Sequence, residues 1–137
     1  MRILGLDLGD KTLGIAMSDP HQMIARGIET FRFPLDDHDA AIEKVLEILK
    51  AEPIQTVILG FPKNMDNTIG FQAKKTQVFS DKLKAKTHVP VILWDERLST
   101  KRAQQNMNIS KMHKTKRKKT IDQEAAVFIL QSYLDSK

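Results

Sequence analysis

Apolar and polar positions alternate along the chain in blocks that read as separate elements. Arg2–Leu8 is a nearly unbroken apolar run, Gly9–Asp10–Lys11 is a turn, and Thr12–Ser18 is a second apolar run. Two short runs joined by a Gly/Asp turn predict a β-hairpin. Ala25–Phe33 reads as a third strand. Beyond Pro34 and Asp36–Asp37, the apolar positions Ile42, Val45, Leu46 and Leu49 recur at helical spacing, and Pro53 closes that helix. A β-branched strand over Gln55–Leu59 ends at Gly60, and a polar loop, Pro62–Thr68, follows. A helix through Phe71–Lys86, a strand over Val89–Trp94, a short helix near Thr100–Met107 and a last helix from Ile121 to about Leu134 complete the pattern. Three meandering strands followed by alternating helix and strand predict an α/β fold. Its mixed five-stranded sheet has a three-strand antiparallel meander and two parallel strands, flanked by helices. The first strand, nearly all apolar, is expected at the centre with both faces buried.

Composition narrows the class. At 137 residues and 41% hydrophobic, the chain has the size and apolar content of a single domain, residues 1–137, with a real core. Zero cysteines exclude disulfide frameworks, thiolate zinc sites and cysteine nucleophiles. The longest apolar runs fall short of the ~18 residues of a membrane helix, and Met1 leads directly into a strand, so a soluble cytoplasmic protein with no membrane partner is expected.

Charge distribution says more than the net of +5. Between Lys101 and Lys119 stand eight Lys/Arg and no acid, whereas the rest of the chain has 14 basic residues against 17 acidic ones. A basic segment on an acidic body points to a polyanionic partner; a solvated lysine-rich loop is the plainer alternative. With 6% aromatic residues, a base-stacking platform is not expected.

Three acids stand out. Asp7 interrupts the apolar run Ile3-Leu-Gly-Leu-Asp-Leu-Gly9, where burial is costly without a cation, proton or donor to compensate it. Strand alternation puts Gly5, Asp7 and Gly9 on one face, and the two missing side chains are expected to leave room there for a ligand. Asp95-Glu96-Arg97 follows the strand ending at Trp94, where open α/β sheets bind ligands; an acidic turn explains it equally well. Asp122 lies in Thr120-Ile-Asp-Gln123, which fits a helix-capping box. The small Ala125 and Ala126 that follow allow this helix to approach the sheet and carry Asp122 toward Asp7. The four histidines are scattered and not expected to bind metal, Trp94 is expected to pack as strand-end core, and Asp19 and Asp66 fit either turns or a cleft wall.

Together, Gly5-Leu-Asp-Leu-Gly-Asp-Lys-Thr-Leu-Gly-Ile-Ala-Met-Ser-Asp19, Gly60-Phe-Pro-Lys-Asn-Met-Asp66, Asp95-Glu-Arg-Leu-Ser-Thr100 and Ile121-Asp-Gln-Glu-Ala-Ala126 resemble the YqgF family. These RNase H-like proteins are described as Holliday-junction resolvases and as pre-16S rRNA processing nucleases. The resemblance spans the chain. It implies an RNase H-like fold and an acidic triad, Asp7, Glu96 and Asp122, that is both catalytic and metal-binding. Two departures stand out: Asn67-Thr-Ile-Gly-Phe71 replaces the family's usual Gly-Thr-Glu-Gly-Pro, and Glu124 takes a usually apolar position. The second places an extra acid either near the metal or on the exposed face of the helix.

Three carboxylates about 5 Å apart repel by roughly 3 kcal/mol per pair at an effective dielectric of 20. Such a site requires a hard cation, Mg²⁺ or Mn²⁺, and one or two ions could hold a scissile phosphate and activate water. Lys111, Lys114, Lys116, Arg117, Lys118 and Lys119 immediately precede the Asp122 helix and are expected to grip the phosphate backbone. Lys11 at the hairpin tip is a further candidate contact, and Arg97 either binds phosphate or forms a structural ion pair. The expected activity is metal-dependent phosphodiester hydrolysis, which the resemblance directs to the 5′ end of pre-16S rRNA with a branched DNA junction as the alternative, by a monomer or homodimer. A non-cleaving nucleic-acid-binding module is the main alternative. A sugar-kinase or actin-like ATPase is a weaker one, because those enzymes close two domains around ATP.

Overall fold

The structure of the protein, a computed structural model, describes residues 1–62, 70–95 and 121–137, with residues 121–123 by backbone alone. The strands β1 (Arg2–Leu8), β2 (Thr12–Ser18) and β3 (Ala25–Arg32) are followed by α1 (His38–Ala51), β4 (Ile54–Phe61), α2 (Phe71–Lys84), β5 (Val91–Asp95) and α3 (Ile121–Asp135). They build one five-stranded sheet of order β3-β2-β1-β4-β5. The first two pairings are antiparallel and the last two parallel. The meander-plus-parallel sheet expected from the pattern is present, with β1 at its centre.

Two boundaries differ for physical reasons. β4 continues through Gly60 and Phe61, which pair with Trp94 and Asp95, so ladder pairing overrides the glycine that reads as a stop. β5 begins at Val91 rather than Val89, because Pro90 has no N–H for the ladder; its carbonyl instead accepts from Val57 N at 2.9 Å. The short helix expected near Thr100–Met107 lies outside the described residues.

β1 divides the core by alternation. Leu4, Leu6 and Leu8 point to the larger cluster, where Ile42 and Val45 of α1 meet Phe79 and Leu83 of α2. Ile3 points the other way, to Ala16, Ile58, Ala126, Ile129, Leu130 and Leu134. Each fully buried leucine or isoleucine contributes about 1.5–3 kcal/mol, so a central strand apolar on both sides ties the two halves together. Asp37 starts α1, its carboxylate accepting from Ala40 N at 3.4 Å, which satisfies one of the unpaired N–H groups of the first turn.

α3 lies across β1, β2 and β3 on the Ile3 side. Its C-terminal end is fixed at the start of β1. Gln131 Oε1 accepts from Ala25 N at 2.8 Å, Gln131 Nε2 donates to Met23 O at 3.0 Å, and Lys137 Nζ donates to Gln22 Oε1 at 2.9 Å. Gln22 in turn donates to Met1 O at 2.9 Å. α3 therefore runs antiparallel to β1, and its first turn is directed toward the C-terminal end of that strand.

Candidate active site

Asp7 is half-buried near the end of β1, paired with Gly14 of β2. It lies on the Ile3 face, beneath α3. Gly5, two residues back on that face, shows how the helix comes so close. A Cβ there would stand 2.7 Å from Leu130 Cβ and 3.3 Å from the Ala126 carbonyl oxygen. The expected vacancy above Gly5 is thus filled by the helix. The missing side chain serves helix–sheet contact, because only glycine admits a helix backbone at that distance. At Gly9 a Cβ would meet Thr12 Oγ1 at 3.1 Å, so that glycine serves the hairpin turn, where Gly9 N donates to Thr12 O at 2.8 Å.

The Ala126–Gly5 contact sets the level of the rest of α3. Asp122 lies one turn earlier, about 6 Å along the axis at 1.5 Å per residue. Asp7 lies two residues beyond Gly5, about 6.6 Å along the strand. With the two elements antiparallel, the backbone of the first turn of α3 is carried to the level of Asp7. Glu124 shares its flank of α3 with Gln131, seven residues on and only about 20° around the helix. It is half-buried and sits on the side turned to Met23 and Ala25, away from the Ala126 face.

Glu96 and Arg97 lie outside the described residues, as do Asp66, Lys111, Lys114, Lys116, Arg117, Lys118 and Lys119, and the side chain of Asp122 is also beyond description. β5 nevertheless ends at Asp95, paired with Phe61 of β4, at the same edge of the sheet as Asp7. Trp94 packs there as strand-end core. Its ring meets Tyr133 edge-on at 5.4 Å, and its Nε1 donates to Ser132 Oγ at 3.2 Å.

Lys11 is exposed at the tip of the β1–β2 hairpin. Around that tip stands a set of contacts that the sequence pattern does not reveal. Lys75 Nζ bridges Asp36 at 2.9 Å and Asp10 at 3.2 Å, Asp36 N donates to Asp10 O at 2.8 Å and Phe33 N to Lys11 O at 2.9 Å. Gln72 Nε2 donates to Leu8 O at 3.3 Å. The hydrogen bond to Asp36 holds the Lys75 ammonium above the usual lysine pKa, partial burial opposing it and Asp10 reinforcing it. Together these bonds pin the end of β1 to α2. The pairs are 65 and 39 residues apart, a range no local pattern encodes.

Asp19 belongs to the opposite end of the sheet. Its carboxylate accepts from Met23 N at 2.7 Å, Ile24 N at 2.8 Å and His21 N at 3.1 Å. These backbone donors, Ile24 foremost, lower its pKa. Its carboxylate anchors this turn, far from Asp7. A groove of about 650 Å³ lined by Arg2, Ser18, Asp19, Arg26, Ile28 and Glu52 among others opens at that far end; of the candidate residues described, only Asp19 lines it. His38 packs edge-on between Phe33 and Phe79, with ring centroids 5.8 and 6.3 Å away.

A central-strand acid under a crossing helix, on a sheet of order β3-β2-β1-β4-β5, defines the RNase H-like class of α/β domain. Solved structures agree on the fold. The chain aligns with Thermus thermophilus RuvC in complex with a Holliday junction substrate at a TM-score of 0.69 and 14% identity, over 99% of this chain and 94% of that one. It aligns with the fowlpox virus Holliday junction resolvase at 0.58 and 18%, over all of both chains. Sequence comparison is more specific. A family model described as "RuvX: Holliday junction resolvase" matches residues 1–136. A Bacillus subtilis (strain 168) protein named "Putative pre-16S rRNA nuclease" is 47% identical over 136 residues, 99% of each chain. A Geobacillus protein of the same name is 47% identical over 137 residues, 100% of this chain and 99% of its own. The chain belongs to the RuvX family, the YqgF-type proteins that its motifs resemble.

Proposed function

We propose that this protein is a divalent-metal-dependent nuclease that hydrolyses phosphodiester bonds in structured nucleic acid, with the 5′ end of pre-16S rRNA as its substrate. The observation that carries the reading is the placement of Asp7: a half-buried carboxylate at the C-terminal end of the central strand, on the face toward which α3 brings the backbone of Asp122. Glu96, one residue past the end of β5, completes the acidic set.

The donor chemistry fits a hard cation. Asp7, Glu96 and Asp122 offer carboxylate oxygen alone, with no thiol or imidazole, which suits Mg²⁺ or Mn²⁺. Of the three, only Asp7 has its side chain among the described residues, and no group of three metal-binding side chains occurs among those residues. A divalent ion held there would supply Lewis acidity and offset the repulsion among the acids. The chain's own contribution is positional. Asp7 is fixed by β1 in the centre of the sheet, and Asp122 is fixed by the seating of α3 on Gly5. Lys111, Lys114 and Lys116–Lys119, joined to the start of α3, hold the phosphate backbone beside the acids. Lys11 and Arg97 add phosphate contacts at the rim.

The RNA substrate is supported by the names of the relatives at 47% identity. The family's description favours a second reading, resolution of four-way DNA junctions. A resolvase requires two sites related by symmetry, so that reading demands a homodimer, whereas a monomer suffices for RNA. Side-by-side cleavage of a pre-16S leader and a synthetic four-way junction, in Mg²⁺ and in Mn²⁺, tests the proposal. Metal-stimulated cutting of the leader is expected, lost in Asp7→Asn with binding retained. No cutting of either substrate by the wild type overturns the nuclease reading.

A further inference from the structure

Phe71 is 76% exposed, the highest fraction among the large hydrophobic residues described. It opens α2 at the position where the sequence departs from its family. Three observations distinguish it from an incidental surface ring. First, it stands at the same end of the central strand as Asp7, on the opposite face of the sheet, because its neighbour Gln72 donates to the carbonyl of Leu8, the residue after Asp7. Second, its ring is held in place: Lys75 Nζ lies 4.6 Å from the ring centroid, and that ammonium is itself fixed by Asp10 and Asp36. Third, its surroundings carry cations, with Lys74 and Lys75 on the same helix and Lys11 at the adjoining hairpin tip. By contrast, the exposed Met23, Ile24 and Ile28 sit toward the opposite end of the sheet.

We infer that Phe71 is a stacking site for an unpaired nucleobase of the nucleic-acid substrate, so that the protein favours duplexes carrying a single-stranded extension over fully paired ones. This rests on the nucleic-acid reading above and deepens it. Every base offers a π-face, and stacking on an aromatic ring is sequence-tolerant. A ring already fixed by Lys75 loses little freedom on binding. The site selects for an unpaired base, not for a base identity.

The test measures binding apart from cutting. An RNA duplex with a 5′ extension and its blunt counterpart are titrated with wild-type protein and with Phe71→Ala, Phe71→Leu and Phe71→Trp. 2-Aminopurine is placed at successive positions of the extension. Quenching at one position is expected with wild type and Phe71→Trp, and not with the other two. Phe71→Ala and Phe71→Leu are expected to weaken binding of the extended duplex by about 10-fold or more and of the blunt duplex by less than about 2-fold. Equal losses on both duplexes, wild-type behaviour of Phe71→Leu, or a change in oligomeric state instead of affinity overturns the assignment. Position 71 is exposed, so the variants should fold, and their thermal melts check it. Quenching without cleavage would defeat the nuclease reading and leave Phe71 standing; cleavage and binding unaffected by Phe71→Ala would do the reverse.

Discussion

Replacing Gly5 with alanine adds one methyl group at the contact that seats α3 on the sheet. The new Cβ would lie 2.7 Å from Leu130 Cβ and 3.3 Å from the Ala126 carbonyl oxygen. Carbon atoms pack at about 3.5–4.0 Å, so the helix must withdraw by roughly 1 Å. Neither atom is the flexible end of a side chain that could swing aside. Overpacking of this kind costs about 1–3 kcal/mol, which for a chain of this length lowers Tm by roughly 4–10 °C. The same displacement moves the first turn of α3 relative to Asp7, and a 1 Å misplacement can cost about 100-fold in rate. Gly5→Ala is therefore expected to lose both stability, measured by urea denaturation, and cleavage, measured under single-turnover conditions, while keeping affinity for nucleic acid. Gly9→Ala is the control. Its Cβ would meet a hydroxyl at 3.1 Å, which can rotate, so smaller losses are expected. Wild-type stability together with wild-type cleavage in Gly5→Ala would refute the claim that close seating of α3 sets the site.

The basic segment and the far turn give two further predictions. If about five lysines and arginines of residues 111–119 contact phosphates, the log–log salt dependence of binding has a slope of roughly −4.5 on a duplex or −3.5 on a single strand. Replacing Lys118 and Lys119 with glutamine should then make the duplex slope shallower by about 1.8, and an unchanged slope would remove these residues from the interface. The backbone N–H groups of Ile24 and Met23 hold the Asp19 carboxyl below the ordinary aspartate range. The carboxylate therefore contributes stability that is complete above the unfolded value and lost as pH falls through the folded one. Asp19→Ala is expected to lower the urea midpoint at neutral pH, and the difference from wild type should narrow below about pH 4; a constant difference would contradict the turn's dependence on the charged form.

Much of this architecture is legible in the sequence, and the exceptions share a cause. The continuous apolar run of β1 marks a strand buried on both faces, and Gly9–Asp10–Lys11 marks the hairpin. Asp7 is conspicuous because a carboxylate in such a run needs a reason. Gly5 is equally visible as a missing side chain, but the sequence does not say whether a ligand or a helix fills the space. Leu130 settles that from 125 residues away along the chain. Lys75, Asp10 and Asp36 carry no local signature because their meeting depends on the packing of α2 against the hairpin. Phe71 reads as an ordinary helix residue until the fold leaves its ring in solvent.

The Gln131 clamp has a mechanical consequence. It lies nine positions beyond Asp122, an arm of about 13.5 Å, with the fulcrum at the Met23–Ala25 turn and the backbone of Asp122 at the tip. A tilt of only about 4° at the fulcrum swings the tip through roughly 1 Å, the scale on which reacting geometry is won or lost. Alterations in that distant turn are thus expected to shift the backbone of Asp122 relative to Asp7, within the limit that the Gly5 contact allows, without touching either residue.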